Sequence, residues 1–154
     1  MIEQLRATVA AMTQEQLISA MYRDPLTCAY NRAAYDRMMF LAVAIVDLDS
    51  LKYVNDTYGH RAGDSKLREL SDVLRAVFGD DRVFRLSGDE FAVIGEHLPE
   101  INSKLSSLQR KLRFFSYGVG VSLEIADERG LIENKTQRER EGKRAARGEK
   151  PAWR

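Results

Sequence analysis

The sequence has few of the residues that crosslink a chain or build a structural metal site. Its 154 residues include one cysteine, two histidines and three prolines. The single cysteine, Cys28, has no partner for an intramolecular disulfide, and two histidines are too few for a thiolate–imidazole zinc cluster. Any metal in this protein is therefore expected on carboxylates.

The sequence also lacks a long apolar run. Its apolar runs stop far short of the roughly 18 to 20 residues that a membrane-spanning helix requires, and its N-terminus has no basic start followed by an apolar block and a cleavage site. These absences predict a cytoplasmic protein without a membrane partner. The composition, 44% apolar and 31% charged, is typical of one compact globular domain.

The charge is nearly balanced, with a net value of +1, but it is unevenly distributed. Residues 134–154 carry eight basic and three acidic side chains, a net +5, which leaves −4 for residues 1–133. A basic tail can bind a polyanion, yet the interspersed glutamates and the single aromatic Trp153 favour a solvated terminus. Nucleic acid is therefore not the expected partner.

We divide the chain into an N-terminal helical segment (1–23), a catalytic domain (24–133) and the basic tail (134–154). The first segment has apolar residues at heptad-like a/d spacing, which leaves two interpretations open. Its turns pack on the domain, or a helix pairs with its copy in a dimer. The residues with this spacing are Ile2, Leu5, Val9 and Met12.

The hydrophobic pattern predicts strands and helices in the order β-α-α-β-β-α-β. Such an order is typical of an α/β fold, an α+β sandwich whose central, mostly antiparallel or mixed sheet is flanked by helices. Short apolar runs mark the strands, and apolar residues at helical spacing mark the helices. The predicted strands are 41–46, 83–86, 91–94 and 114–121, and the predicted helices are 51–58, 64–78 and 99–112.

Four acids fall at the end of a predicted strand or in a predicted hairpin turn: Asp47, Asp49, Asp89 and Glu90. Carboxylates this close repel one another, and a divalent cation relieves the repulsion. Mg²⁺ or Mn²⁺ takes one or two carboxylates and fills its other positions with water and phosphate oxygens, which indicates a nucleoside triphosphate. The alternative is that these acids are only solvated turn residues.

Three polar residues nearby suit a nucleotide. Lys52 and the N-terminus of the helix that contains it can contact phosphates. Asn55 donates and accepts, and Asp64 can accept from the N1–H and exocyclic amine of guanine. The alternative is that Asn55 and Asp64 belong to helix caps.

Taken together, these segments resemble the GGDEF family of diguanylate cyclases. The resemblance runs from Asp24 to Ser122 and implies a fold similar to the palm of nucleotidyl polymerases. It also implies condensation of two GTP into cyclic di-GMP and pyrophosphate by a homodimer, because each domain holds one nucleotide. The matching segments are DPLT (24–27) with Asn31-Arg32, VDLDSLKYVNDTYGHRAGDSKL (46–67), RLSGDEF (85–91) and SYGVGVS (116–122).

The resemblance also implies the roles of individual residues. The implied ligands of Mg²⁺ or Mn²⁺ are Asp47, the backbone carbonyl of Leu48, Asp89 and the adjacent Glu90. The implied catalytic acids are Asp89 and Glu90. The implied nucleotide-binding residues are Lys52, Asn55, Asp64 and Leu67.

Three of the chain's departures from the family pattern bear on the predictions made here. Ser87 replaces the first glycine of the signature, and the turn is expected to survive if the φ angle of this residue stays negative. Cys28 replaces a glycine and is expected to be a small packing residue. The C-terminal end, from Ala126 onward, differs from the family's closing helix. An alternative function follows, a catalytically degenerate GGDEF domain that acts as a GTP-binding or protein-interaction module.

Overall fold

The computed structural model describes residues 1–126, and the predicted basic tail lies outside them. The helices in this part are α1 (Ile2–Ala10), α2 (Gln14–Tyr22), α3 (Arg32–Tyr35), α4 (Leu51–Tyr58), α5 (His60–Phe78) and α6 (Leu98–Leu112). The strands are β1 (Tyr30–Asn31), β2 (Ala42–Leu48), β3 (Val83–Ser87), β4 (Glu90–Gly95) and β5 (Phe115–Gly120), with a 3₁₀ turn at Asp80–Arg82.

The five strands form one mixed sheet in the order β1-β3-β4-β2-β5. β4 runs antiparallel to both β3 and β2, and β5 runs antiparallel to β2. The two-residue strand β1 pairs parallel with β3. The predicted fold class is confirmed, and β1 is an addition that the hydrophobic pattern did not predict.

Strand β2 lies inside the sheet with apolar groups on both of its faces. One face of the sheet packs against α5 and α6, whose leucines and Ile101 form the larger core cluster. The other face packs against Ala34 and Tyr35 of α3 and against Ala126. Because both faces are covered, β2 is a continuous apolar run rather than an alternating one.

The N-terminal helices differ in how they contact the domain. A capping box between Thr13 and Gln16 starts α2. α2 contacts α3 and ends before the Asp24-Pro25 pair. No residue of α1 is buried, and Ile2, Leu5 and Val9 are each more than half exposed. The apolar side of α1 is thus not packed against residues 11–126.

Several element boundaries differ from the sequence prediction. β2 continues to Leu48, so Asp47 lies within the strand rather than after it. β4 begins at Glu90, which shortens the predicted four-residue hairpin turn to Gly88-Asp89. α5 begins at His60, four residues before its predicted start. Ladder pairing extends a strand past its apolar residues, which the hydrophobic pattern cannot show.

No helix among residues 1–126 is both long enough and apolar enough to cross a membrane.

Cys28 has a left-handed backbone conformation, with φ at 59°, and it is exposed. The expectation that it is a packing residue is wrong. An L-residue in this conformation costs about 1–2 kcal/mol, and glycine avoids most of that cost but gives the unfolded chain more freedom. We therefore expect Cys28→Gly to raise the free energy of unfolding by about 0.5–1 kcal/mol. Urea denaturation measures the change.

The matched control is Cys28→Ala, which removes the thiol but keeps the Cβ atom. Its free energy of unfolding should stay close to that of the wild type. A gain in Cys28→Ala as large as that in Cys28→Gly would assign the effect to the thiol and contradict the backbone argument.

Candidate active site

Four polar residues lie side by side across four adjacent strands. Glu90 on β4 pairs with Asp47 on β2 and, on its other side, with Ser87 on β3. Asp47 in turn pairs with Ser116 on β5. Directly paired residues of antiparallel strands project from the same face, with Cβ atoms about 5 Å apart. The series Ser87–Glu90–Asp47–Ser116, called the polar row below, therefore places the acid of the strand end beside the acid of the hairpin.

The hairpin turn holds Asp89 next to the polar row. The backbone N–H of Leu48 donates to the carbonyl of Asp89 at 3.1 Å, so the turn is tied directly to the end of β2. The left-handed position in the turn belongs to Gly88, with φ at 29°. Ser87 does not have a positive φ, which is the condition under which the turn was expected to tolerate a serine in place of glycine.

Asp49 is more deeply buried than the other three acids. It is 9% exposed, and its carboxylate accepts a hydrogen bond of 2.6 Å from the hydroxyl of the buried Ser116. Its backbone N–H donates to the carbonyl of Phe114 at 2.9 Å. Asp49 thus closes the ends of β2 and β5, while Asp47, Asp89 and Glu90 are half-buried at the surface.

Arg85 braces the hairpin from β3. Its guanidinium donates twice to the carbonyl of Gly88, at 3.0 and 2.7 Å, and forms an ion pair of 3.0 Å with Asp24. Burial of Asp24 acts to raise the pKa of this carboxyl, but hydrogen bonds from Thr27 and Arg85 outweigh it, and the pKa is lowered below its usual range. Asp24 lies just after α2, so Arg85 links the N-terminal segment to the signature turn.

Helices α4 and α5 approach each other closely at Gly63. A Cβ atom on Gly63 would lie 2.0 Å from Oδ1 of Asn55 and 2.9 Å from Cδ1 of Leu51. Within residues 1–126, Oδ1 of Asn55 is the only buried side-chain oxygen or nitrogen without a hydrogen-bond partner. A buried acceptor in this state costs about 1–3 kcal/mol. Asp64 follows Gly63 directly, so Asn55 and Asp64 flank the same helix contact.

The capping alternative for these two residues is wrong. Asn55 lies inside α4, and Asp64 lies inside α5, in the second turn after His60. The residue that separates the two helices is Gly59.

We expect Gly63→Ala to disturb both nucleotide binding and folding. The added methyl would overlap Oδ1 of Asn55, and the end of that side chain can move away more easily than the backbone of α4. For GTP, the nucleotide that the family resemblance implies, the KM should rise about tenfold or more, while the free energy of unfolding falls by about 1–3 kcal/mol. Initial rates over a range of GTP concentrations and urea denaturation measure the two effects.

The control is Ser65→Ala at an exposed position of the same helix. It should leave both quantities unchanged. An unaltered KM in Gly63→Ala would mean that Asn55 does not contact the nucleotide.

Two further predicted nucleotide-binding residues occupy very different positions. Lys52 is exposed at the start of α4, where the first backbone N–H groups of the helix have no partner within it. Leu67 is 4% exposed and packs in the larger core cluster on the inner side of α5. Lys52 is therefore accessible to a phosphate, whereas Leu67 supports the helix from inside.

The oxygen atoms at the end of β2 and at the hairpin suit a hard divalent cation. Across residues 1–126, no three acidic, histidine or cysteine side chains converge into a closed metal cage. Mg²⁺ does not need such a cage, because it takes one or two carboxylates and completes its shell with water and substrate phosphates. Asp47 and Glu90, side by side in register, fit that requirement.

Sequence reasoning missed the residues that organise the acids. Ser116 and Arg85 were not singled out, and Ser87 was considered only for its backbone. Arg85 was detectable as the one charged residue in the VFRLS strand. Ser116 carried no signal, because its role depends on pairing between strands that are distant in the sequence.

Comparison with known proteins gives consistent matches over this region. The family profile described as the diguanylate cyclase GGDEF domain matches residues 21–117. Diguanylate cyclase DgcS of Shewanella oneidensis is 33% identical over 142 residues, a match that covers 80% of this chain and 48% of DgcS. Diguanylate cyclase DgcN of Escherichia coli K12 is 40% identical over 92 residues, covering 51% of this chain and 22% of DgcN.

A solved structure of similar fold contains the coiled coil and GGDEF domain of DgcB from Caulobacter crescentus in complex with c-di-GMP. It matches with a TM-score of 0.62 at 23% identity and covers 77% of this chain and 75% of that chain. This likeness shows the fold. The chain spans less than half the length of the two curated relatives named above.

Proposed function

Because this chain belongs to the diguanylate cyclase GGDEF-domain family, we propose that it condenses two molecules of GTP into cyclic di-GMP and releases two pyrophosphates. The observation that carries the proposal is the register of β2 and β4, which sets Asp47 directly beside Glu90. Two carboxylates so placed, with Asp89 held next to them, form a receptor for a divalent cation and a triphosphate. The proposed location is the cytoplasm.

Asp47, Asp89, Glu90 and the backbone carbonyl of Leu48 are the proposed ligands of Mg²⁺ or Mn²⁺. When bound, such an ion supplies charge neutralisation at the phosphates and lowers the pKa of a hydroxyl that it contacts. The sheet ladder fixes the backbone positions of the polar row. A site built on strands in this way loses little conformational freedom when the substrate binds.

The nucleotide is proposed to lie between the polar row and the contact of α4 with α5. Asn55 would hydrogen-bond guanine through its side-chain amide, and the Asp64 carboxylate would accept two N–H groups of the same base. Adenine presents an acceptor at N1 and fits these groups poorly, so GTP is the proposed substrate. Lys52 and the N-terminus of α4 would contact the phosphates.

The reaction requires two domains, because each site holds one nucleotide. We propose a homodimer in which α1 contributes to the contact between protomers. The apolar residues of α1 are more than half exposed in the single chain, and a contact between copies would bury them. The closed dimer would bring the 3′-hydroxyl of one GTP to the α-phosphate of the other.

The test is incubation of the full chain with GTP and Mg²⁺ over a range of protein concentrations, followed by chromatography. Cyclic di-GMP should form, at a rate per protomer that rises with protein concentration until the dimer saturates. ATP in place of GTP should give little product. GTP binding without product at any concentration would favour the degenerate binding module, and absence of GTP binding would contradict the proposal altogether.

A further inference from the structure

Ser87 contacts one of the signature acids directly. Its hydroxyl donates to Oε2 of Glu90 across the hairpin, with an oxygen–oxygen distance of 2.5 Å. This distance lies at the short end of the range for a hydroxyl that donates to a carboxylate, a class of hydrogen bond stronger than the neutral kind. The serine therefore does more than replace a glycine in the turn.

A bulge in the hairpin places Ser87 where it can make this contact. Arg85 pairs with Phe91, but the next pair along the ladder is Ser87 with Glu90, so Leu86 is the extra residue. A bulge redirects the side chains that follow it. Without it, the residue opposite Glu90 would be Leu86, which has no hydroxyl to donate. The two hydrogen bonds from Arg85 to Gly88 hold the bulged strand in this shape.

The hydroxyl opposes a repulsion within the polar row. Glu90 has Asp47 directly opposite on its other side, and like charges in that arrangement destabilise a sheet. A glutamate has three rotatable side-chain bonds, and repulsion from Asp47 would turn a free carboxylate outward. The donor on β3 engages Oε2 and leaves Oε1 for another ligand.

From this geometry we propose that Ser87 is a positioning residue, which holds the Glu90 carboxylate beside Asp47 so that the pair receives a divalent cation with little rearrangement. The inference rests on the proposed function, since it assigns Ser87 a role at the same cation site. Its effect passes through Glu90, and Ser87 itself contacts neither the substrate nor the reacting atoms.

The test measures cation binding rather than turnover. Mn²⁺ is the probe, titrated into the full chain with a GTP analogue that lacks the 3′-hydroxyl, and free Mn²⁺ is measured by electron paramagnetic resonance. Ser87→Ala should weaken Mn²⁺ binding about tenfold, as expected when a hydrogen-bond partner of a metal ligand is lost. Ser87→Thr keeps the hydroxyl and should restore binding. Ser103→Ala, an exposed serine on α6, is the matched control.

A double-mutant cycle with Glu90→Gln tests whether the effect passes through Glu90. Ser87→Ala should weaken binding in the wild-type background and have no further effect in Glu90→Gln. Equal effects in the two backgrounds, or a loss that Ser87→Thr does not restore, would overturn the inference, as would unchanged binding in Ser87→Ala. Circular dichroism establishes that each variant is folded.

The same titration separates this inference from the proposed function. If the wild type binds Mn²⁺ in a way that Asp47→Asn removes, the cation site exists, and the Ser87 variants then decide the inference alone. If the wild type shows no such binding, the proposed function and the inference both fail.

Discussion

Asp47→Asn should reduce formation of cyclic di-GMP by about 10³-fold or more while the protein stays folded. The substitution keeps the shape of the side chain but removes one of two adjacent negative charges that the proposed cation needs. It also removes like-charge repulsion across β2 and β4, so the free energy of unfolding should change by less than about 1 kcal/mol. Chromatography of the product and urea denaturation measure the two quantities.

The control is Asp72→Asn. Asp72 lies on α5 with a side chain that is 72% exposed, and its ion pair with Arg75 spans 3.7 Å. This variant loses the same charge from the protein and should keep full activity. If Asp47→Asn retained activity comparable to that of Asp72→Asn, the reaction would not use the polar row.

Binding of the cation and nucleotide should also stabilise the folded protein against heat. Mg²⁺ with a GTP analogue should raise the melting temperature of the wild type, because a ligand that binds only the folded state stabilises it. Asp47→Asn should lose this shift. A shift that persists in the variant would place the cation elsewhere in the protein.

Arg85→Ala should lower both stability and activity. The variant loses two hydrogen bonds to Gly88 and the ion pair with Asp24, whose partners are only 15% and 18% exposed. We expect the free energy of unfolding to fall by about 2–4 kcal/mol, since a largely buried carboxylate loses its cation. Product formation should fall by about 10²-fold at temperatures where the variant is folded, because the turn that holds Asp89 loses its brace.

The stability difference should depend on pH in a defined direction. The folded-state pKa of Asp24 is lower than its unfolded value, so its interactions stabilise the protein above the unfolded pKa of about 4. As pH falls through the lower folded value, Asp24 takes up a proton and that part of the stability is lost. The difference between wild type and Arg85→Ala should therefore be full at neutral pH and shrink below about pH 4.

Arg68→Ala is the control for this variant. Arg68 is an exposed arginine that makes one hydrogen bond of 3.3 Å to the carbonyl of Leu26, in the same N-terminal loop. Its removal should change stability by less than about 1 kcal/mol and leave activity unchanged. A loss in Arg68→Ala equal to that in Arg85→Ala would mean that the loop responds to the loss of any arginine.

The elements that depend on local patterns could be predicted from the sequence. The bounds of α4 were correct, because Gly59 ends the helix and adopts a positive φ that other residues avoid. The apolar run before Asp47 identified β2, since a strand covered on both faces has little alternation. The two-residue β1 was missed, because so short a segment carries no periodicity and exists only through its pairing with β3.

The candidate site also has features that the sequence could predict and features that it could not. The sequence showed that a set of acids, an asparagine and a lysine were present at the ends of apolar segments, where side chains reach solvent. It did not show that Asp49 is bonded to Ser116, 67 positions away, or that Asp24 meets Arg85 across 61 positions. A local sequence pattern does not reveal such hydrogen-bond partners, because they depend on strand register and on bulges.

The amino-acid order thus accounts for which segments form helices and strands and which chemical groups the protein has available, since both depend on neighbours within a few residues. The folded sheet accounts for which groups meet. Strand pairing brings Asp47 beside Glu90, a single bulged residue brings the Ser87 hydroxyl to Glu90, and a close approach of two helices leaves Oδ1 of Asn55 without a partner. These contacts join residues that are distant in the sequence, so they depend on the register and packing of the whole core.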